Sequence, residues 1–108
     1  MKPIDSLFLF MGISFLNAQT IVINEIDADS PGADTAEFIE LYSSTPNLAL
    51  DGYVLVLFNG ADDASYAAYD LDGYSTDANG FSVIGASGVN GVSFTFSSSS
   101  FSNIQNDA

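Results

Sequence analysis

The sequence contains no cysteine, no histidine and no tryptophan, and Lys2 is its single basic residue. Without cysteine the chain forms no disulfide bond, and without cysteine or histidine it lacks the usual ligands of zinc, haem and iron–sulfur sites. The missing bases also exclude Ser-His-Asp catalysis, because nothing can activate the nucleophile. The fold must therefore be held by packing, by backbone hydrogen bonds and by any bound cations.

Acidic residues dominate the charge. Fourteen aspartates and glutamates give the chain a formal net charge of −13. One lysine cannot neutralise a row of phosphates, so nucleic acid and anionic membrane surfaces are excluded as partners. Cations and neutral surfaces such as glycans suit this charge better. At 47% hydrophobic and 13% aromatic residues, the chain still has enough apolar side chains for the core of one domain.

Residues 1–19 have the pattern of a secretory signal peptide. Lys2 gives a short positive region, residues 6–16 form the apolar segment, and Ala18 provides the small residue expected near a cleavage site. The apolar segment is shorter than the ~20 residues that a membrane-spanning helix needs. A buried N-terminal strand is the alternative, which the apolar run beside Lys2 disfavours. We predict cleavage near Ala18-Gln19 and a secreted chain without membrane association after cleavage.

The rest of the chain is a series of short strand patterns separated by turn signals. Apolar or alternating runs predict six strands, over residues 21–26, 36–42, 53–58, 66–71, 81–84 and 92–96. The first begins like a buried strand, and the third, YVLVLF, is apolar almost throughout, which predicts a central strand buried on both faces. Asn-Gly and Asp-Gly pairs between the runs indicate tight turns. The spacing favours an all-β sandwich or barrel.

The order of these motifs is also typical of a known family. IVINEIDAD over residues 21–29, AEFIELYSS over 36–44 and LALDGYVLV over 48–56 resemble the first three strands of the lamin tail domain family. The run NGADDASYAAYDLDGYSTDANGFSVIG, residues 59–85, is similar to the secreted lamin-tail-like domains of bacterial extracellular proteins. The resemblance covers about residues 20–96. It implies an immunoglobulin-like β-sandwich.

The C-terminal residues differ from that family. Its members continue past a segment like NIQN, residues 103–106, into a further apolar strand, whereas this sequence stops at Ala108. We therefore expect a signal peptide over residues 1–19, a lamin-tail-like domain over 20–96 that could lack its last strand, and a serine-rich tail over 97–108. In the family, such domains are interaction or structural modules that sometimes accompany nucleases or phosphoesterases.

Three glutamates lie in the first two predicted strands. Glu37 and Glu40 are three positions apart, so they point to opposite faces of one strand and cannot form a close carboxylate pair. A glycosidase needs two carboxyl groups roughly 5–9.5 Å apart beside a cleft. For Glu25 or Glu37 two interpretations remain. Each carboxylate either accepts backbone or tyrosine hydrogen bonds at a sheet end or is solvated by water.

Asp70, Asp72 and Asp77 form the best candidate metal site. Residues 70–80 follow the pattern D-x-D-G-x-x-x-D-x-N-G, which resembles calcium loops with alternating oxygen ligands and a glycine at the sharp turn. The distant glutamate of an EF-hand is missing, so no EF-hand is predicted. Two polar β-turns are the alternative. Further candidate calcium ligands are Asp62 and Asp63 in the preceding turn and Asp27, Asp29 and Asp34 in the first loop.

The leading prediction is a secreted, non-catalytic β-sandwich module that binds an extracellular protein or glycan, with calcium as a candidate stabilising ion. One alternative is the N-terminal accessory fragment of an extracellular hydrolase. The other is a glycan-binding adhesive module in which tyrosine rings stack on sugars, although packing in the core or at its rim explains tyrosines in strands more simply. These tyrosines are Tyr42, Tyr53, Tyr66, Tyr69 and Tyr74. The pattern specifies no oligomeric state.

Overall fold

The computed structural model describes residues 20–29, 31–32, 34–96 and 103–105. These residues form β1 (Ile21–Asp27), β2 (Phe38–Ser43), β3 (Val54–Phe58), β4 (Ser65–Asp70), β5 (Phe81–Gly85) and β6 (Phe94–Thr95), with no α-helix among them. In the same part of the chain there is no helix long and apolar enough to cross a membrane. All six predicted strands are present, and the all-β prediction is confirmed. The predicted signal peptide, residues 1–19, lies outside the described residues.

The strands form two sheets that pack face to face. One sheet has the order β1-β2-β5-β6, and the other consists of β3 and β4. Neighbouring strands are antiparallel, except that β6 runs parallel to β5. Alternate side chains of both sheets meet in one hydrophobic core, so the architecture is sandwich-like. The central core residues are Ile39, Leu41, Leu50, Leu55, Tyr69, Leu71, Ile84, Phe96 and Ile104.

β3 is not the central strand that its apolar sequence predicts. Its one partner among the described strands is β4, and its side chains alternate between the core and solvent. Leu55 is buried, whereas Val54 is 57% exposed and Phe58 is 64% exposed. The prediction of a strand buried on both faces is wrong, because an apolar run does not reveal whether a second layer covers each face.

Two copies of the sequence LDGY, residues 50–53 and 71–74, form matching turns before β3 and after β4. In each turn the tyrosine N–H donates to the leucine carbonyl three residues earlier, at 3.1 Å in both cases. The glycines have φ angles of 82° and 85°. A positive φ at the third turn position is the signature of a type II turn, which explains the glycine at both places.

The two turns also bond to each other, and we call them the turn pair. The Gly52 N–H donates to the Asp72 carboxylate at 2.6 Å, and the Gly73 N–H donates to the Asp51 carboxylate at 2.7 Å. Backbone bonds of 2.9 Å and 3.0 Å connect the leucine N–H of each copy to the tyrosine carbonyl of the other. This reciprocal bonding fixes the start of β3 against the end of β4.

Candidate interaction edge

The three aspartates of the predicted calcium site hold separate backbone turns. The Asp70 carboxylate accepts the Asp72 N–H at 2.9 Å, and the Asp72 carboxylate belongs to the turn pair. The Asp77 carboxylate accepts the N–H groups of Asn79 and Phe81, at 2.8 Å and 2.9 Å. Within the described ranges, no group of three or more His, Cys, Asp or Glu residues could hold a metal ion. The structure therefore does not bring the three together, and calcium binding stays a prediction.

Two of the other candidate calcium ligands, Asp27 and Asp62, show the same use of aspartate. Asp27 accepts the N–H of Asp29 at 3.3 Å, and Asp62 accepts the N–H of Ala64 at 3.0 Å. A side chain that bonds the backbone two residues later forms an Asx turn, which stabilises a loop without any ion. Turn formation thus accounts for both residues.

Glu37 is a hydrogen-bond acceptor, as one of its two interpretations predicts. Its side chain is 0% exposed. The carboxylate accepts the backbone N–H groups of Asn103 at 2.7 Å and Ile104 at 3.3 Å, and the Asn103 side-chain amide lies at 3.4 Å. The next N–H along the chain, that of Gln105, donates to the Tyr66 hydroxyl at 3.0 Å. Residues 103–105, which the sequence assigns to the tail, are thereby held against the sandwich.

The other two glutamates face each other across β1 and β2. Glu25 and Glu40 are register partners, so both carboxylates leave the same face of the sheet. The Asn24 side-chain amide donates to Glu40 at 2.8 Å, and Glu25 is exposed. Paired like charges repel, and the one basic residue in the sequence, Lys2, lies outside the described residues. This face of the sheet therefore attracts positive charge.

The tyrosines do not share one face. Tyr69 is buried in the core against Phe96, with ring centroids 5.4 Å apart, whereas Tyr42 packs on Phe81 at 5.0 Å on the other side of the larger sheet. Burial raises the pKa of the Tyr69 phenol, and the nearby Tyr66 phenol and Glu37 carboxylate raise it further. Tyr42 and Tyr69 therefore do not line one common platform for sugars.

The inner face of β1 is packed against the core at Ile21 but is left uncovered at Ile23 and Ile26. Ile23 is the register partner of Leu41, and Ile26 is the partner of Ile39. Register partners point to the same side of a sheet, and Leu41 and Ile39 are buried in the core. A β-bulge between Ile23 and Glu25 shifts the register by one residue, which puts Ile23 and Ile26 on the same side although they are three positions apart. Ile23 and Ile26 nevertheless remain 53% and 54% exposed. The expectation that β1 begins like a buried strand therefore holds at Ile21, which packs against the core, and is wrong at Val22 and Ile23, which are 46% and 53% exposed because β1 lies at the sheet edge.

A groove continues this uncovered face toward the second sheet. It has a volume of about 160 Å³ and is lined mostly by apolar side chains, among them Ile21 and Ile23 of β1, Val54 and Leu55 of β3, and Leu71. No other described strand pairs with β1 on its far side. We call β1 and this groove together the open edge.

A second hollow is lined mainly by polar groups, many of which already form hydrogen bonds within the protein. It has a volume of about 380 Å³, and its lining includes Thr76, Asp77 and Ser93. The Thr76 hydroxyl accepts the Leu48 N–H at 2.8 Å, and the Ser93 hydroxyl accepts the Val83 N–H at 3.2 Å. Since these side chains hold the loops together, the open edge is the better candidate for binding.

Comparisons with models of known protein families, with curated proteins and with solved structures found no match. The resemblance to the lamin tail domain family accordingly stays a prediction from the motifs. The function must be argued from the open edge.

Proposed function

We propose that the protein is a secreted, non-catalytic β-sandwich module that binds a macromolecular partner through its open edge. The observation that carries this proposal is the exposure of Ile23 and Ile26, at 53% and 54%, on the core-facing side of β1. Covering apolar surface stabilises a complex by roughly 25 cal/mol per Å² in area terms, before the costs of association. Contiguous exposed apolar surface on a soluble domain is typical of an interaction site.

Two sequence features support the same proposal. The signal-peptide pattern of residues 1–19 predicts export, and the lamin-tail resemblance implies a module that interacts with or spaces other proteins. The net charge of −13 disfavours any partner whose surface is dominated by phosphate. A protein partner with apolar surface to cover is the simplest choice.

Position-specific photocrosslinking in a secreting bacterial host tests this function. The full chain would carry benzoylphenylalanine at position 23, and the matched control would carry it at Val56, which is 39% exposed on the outer face of β3. We expect the chain in the extracellular fraction, with one discrete adduct of higher mass from position 23 and none from position 56. Retention of the chain inside the cell would contradict secretion. Equal crosslinking from both positions would contradict the open edge as the binding surface.

A further inference from the structure

We propose that the partner of the open edge is an extended protein segment that adds a strand beside β1 and alternates apolar with basic side chains. This inference rests on the proposed function and specifies the chemistry of its partner. Three features of the structure carry it: the side of β1 that no other described strand pairs with, the exposed apolar side chains of its inner face and the unbalanced acidic outer face.

The backbone of β1 suits strand addition. β1 is seven residues long, Ile21–Asp27, and stands at the end of the order β1-β2-β5-β6. An edge strand can pair with an extended segment, in which main-chain hydrogen bonds provide affinity and alternate side chains provide specificity. A segment of seven residues would match the length of β1.

The inner face of β1 determines one half of the partner's side chains. Ile23 and Ile26 lie on this face and are about half exposed, beside the apolar groove that Val54 and Leu55 line. Side chains of an added strand on this face would enter the groove. They must be apolar, since a polar group placed there would lose water without gaining a partner.

The outer face of β1 determines the other half of the partner's side chains. Glu25 and Glu40 are register partners there, and an added strand would place a side chain directly beside Glu25. Cross-strand neighbours have Cβ atoms about 4.5–5.5 Å apart, and opposite charges at that distance attract. A lysine or arginine at this position relieves the repulsion between the two carboxylates. The period of two along a strand then gives the alternation of apolar and basic residues.

Charge disfavours a second copy of this chain as the occupant. Two β1 strands paired around a two-fold axis would bring the acidic residues of one copy, Glu25 and Asp27, close to those of the other. Each copy also carries a net charge of −13, so the approach of two copies is repulsive over the Debye length. The same charge accelerates the approach of a basic segment.

A peptide-binding experiment on the full chain tests the proposal. The probe is a fluorescent heptapeptide of alternating lysine and valine, and its matched control replaces each lysine with glutamate. We expect the lysine peptide to bind at least tenfold more tightly than the glutamate peptide, a difference of about 1.4 kcal/mol. Its affinity should fall between about 50 mM and 500 mM NaCl, because salt screens the pairing of charges. Backbone NMR shifts should concentrate in residues 21–27.

Three variants and one modified peptide assign the binding to β1. Glu25→Lys should weaken binding of the lysine peptide at least tenfold and strengthen binding of the glutamate peptide. Ile23→Lys should abolish the binding of both peptides. Val56→Lys adds the same charge on the outer face of β3, away from β1. It should change the affinity for neither peptide by more than any other added positive charge would. A lysine peptide with alternate backbone N–H groups methylated should not bind, because strand pairing needs them.

The outcomes separate this inference from the proposed function. Equal affinity for the two peptides, or no binding of the lysine peptide, would overturn the basic alternating partner. Sedimentation of the free chain as a dimer with protected β1 amides would overturn it in favour of a second copy. If position 23 still crosslinks to a partner in the host, the interaction function stands even though the partner class proposed here is wrong.

Discussion

At the scale of single residues, Glu37 connects two distant parts of the chain. A carboxylate with no exposure to water is costly unless strong donors surround it. Here the donors are the backbone N–H groups of Asn103 and Ile104. Ile104 in turn belongs to the hydrophobic core. One buried acid thereby determines where residues 103–105 pack.

Replacing this acid tests its role. Glu37→Gln should lower the free energy of unfolding by about 1–3 kcal/mol, because one acceptor oxygen becomes a donor that faces a backbone N–H. Urea unfolding followed by circular dichroism measures the change. The exposed Glu25→Gln is the matched control and should shift stability by about 0.5 kcal/mol at most. Equal losses in the two variants would refute a special role for Glu37.

Because the Tyr69 phenol is buried, we expect the folded protein to lose stability at alkaline pH. Burial, then Tyr66 and Glu37, raise the pKa of its phenol above the ordinary value of 10.0, so the fold favours the neutral form. This contribution is complete below the ordinary pKa and is lost as the pH rises through the raised one. Tyr69→Phe should therefore lose less stability than the wild type between about pH 9 and pH 11. Tyr74→Phe, at a residue that is 36% exposed, serves as the control for removing one phenol. An identical effect of both variants would reject the prediction.

At the scale of elements, glycines determine how closely the turns approach the strands. Gly80 has a φ of 89°, and a Cβ atom there would overlap the backbone carbonyl oxygen of Ser43. The Ser43 N–H donates to the Gly80 carbonyl at 2.8 Å, so the end of β2 and the turn before β5 are in direct contact. Gly52, in the turn pair, also has a positive φ but has open space around it.

A series of three alanine substitutions separates backbone strain from steric overlap. Gly88→Ala should be nearly neutral, because a Cβ atom at this position would lie an ordinary 3.4 Å from the Thr35 carbonyl oxygen and the residue has no left-handed φ. Gly52→Ala should cost about 1–2 kcal/mol from its left-handed backbone. Gly80→Ala should cost a further 1–3 kcal/mol or so, since the overlap adds to the strain. Chemical denaturation ranks the three, and any other order would contradict the close approach at Ser43.

At the scale of the whole molecule, uncompensated charge opposes compaction. The net charge of −13 produces self-repulsion that salt screens. We expect the Tm to rise between about 20 mM and 500 mM NaCl, as scanning calorimetry would measure.

Calcium chloride at matched ionic strength tests the calcium prediction of Asp70, Asp72 and Asp77. If these residues bind calcium, the Tm should rise further in calcium chloride than in sodium chloride, and an equal rise in the two salts would contradict the prediction.

The strands and turns were predictable because their signals are local. Apolar or alternating runs of four to seven residues predict each strand, and the Asp-Gly pairs predict turns that need a positive φ. The position of Glu37 near a predicted sheet end also suggested that its carboxylate accepts hydrogen bonds. It did not indicate that the partners would be Asn103 and Ile104, because 66 and 67 residues separate these from Glu37.

The sequence by itself determined the all-β class, the positions of six strands and the acidic net charge of −13. The tertiary structure decided which apolar faces are covered, and there the patterns of residues 21–26 and 53–58 were misleading. Burial depends on the order of strands in two sheets, which no single segment encodes. The open edge exists because β3–β4 leaves Ile23 and Ile26 of β1 uncovered, so these two residues became a candidate binding surface when the layers were assembled.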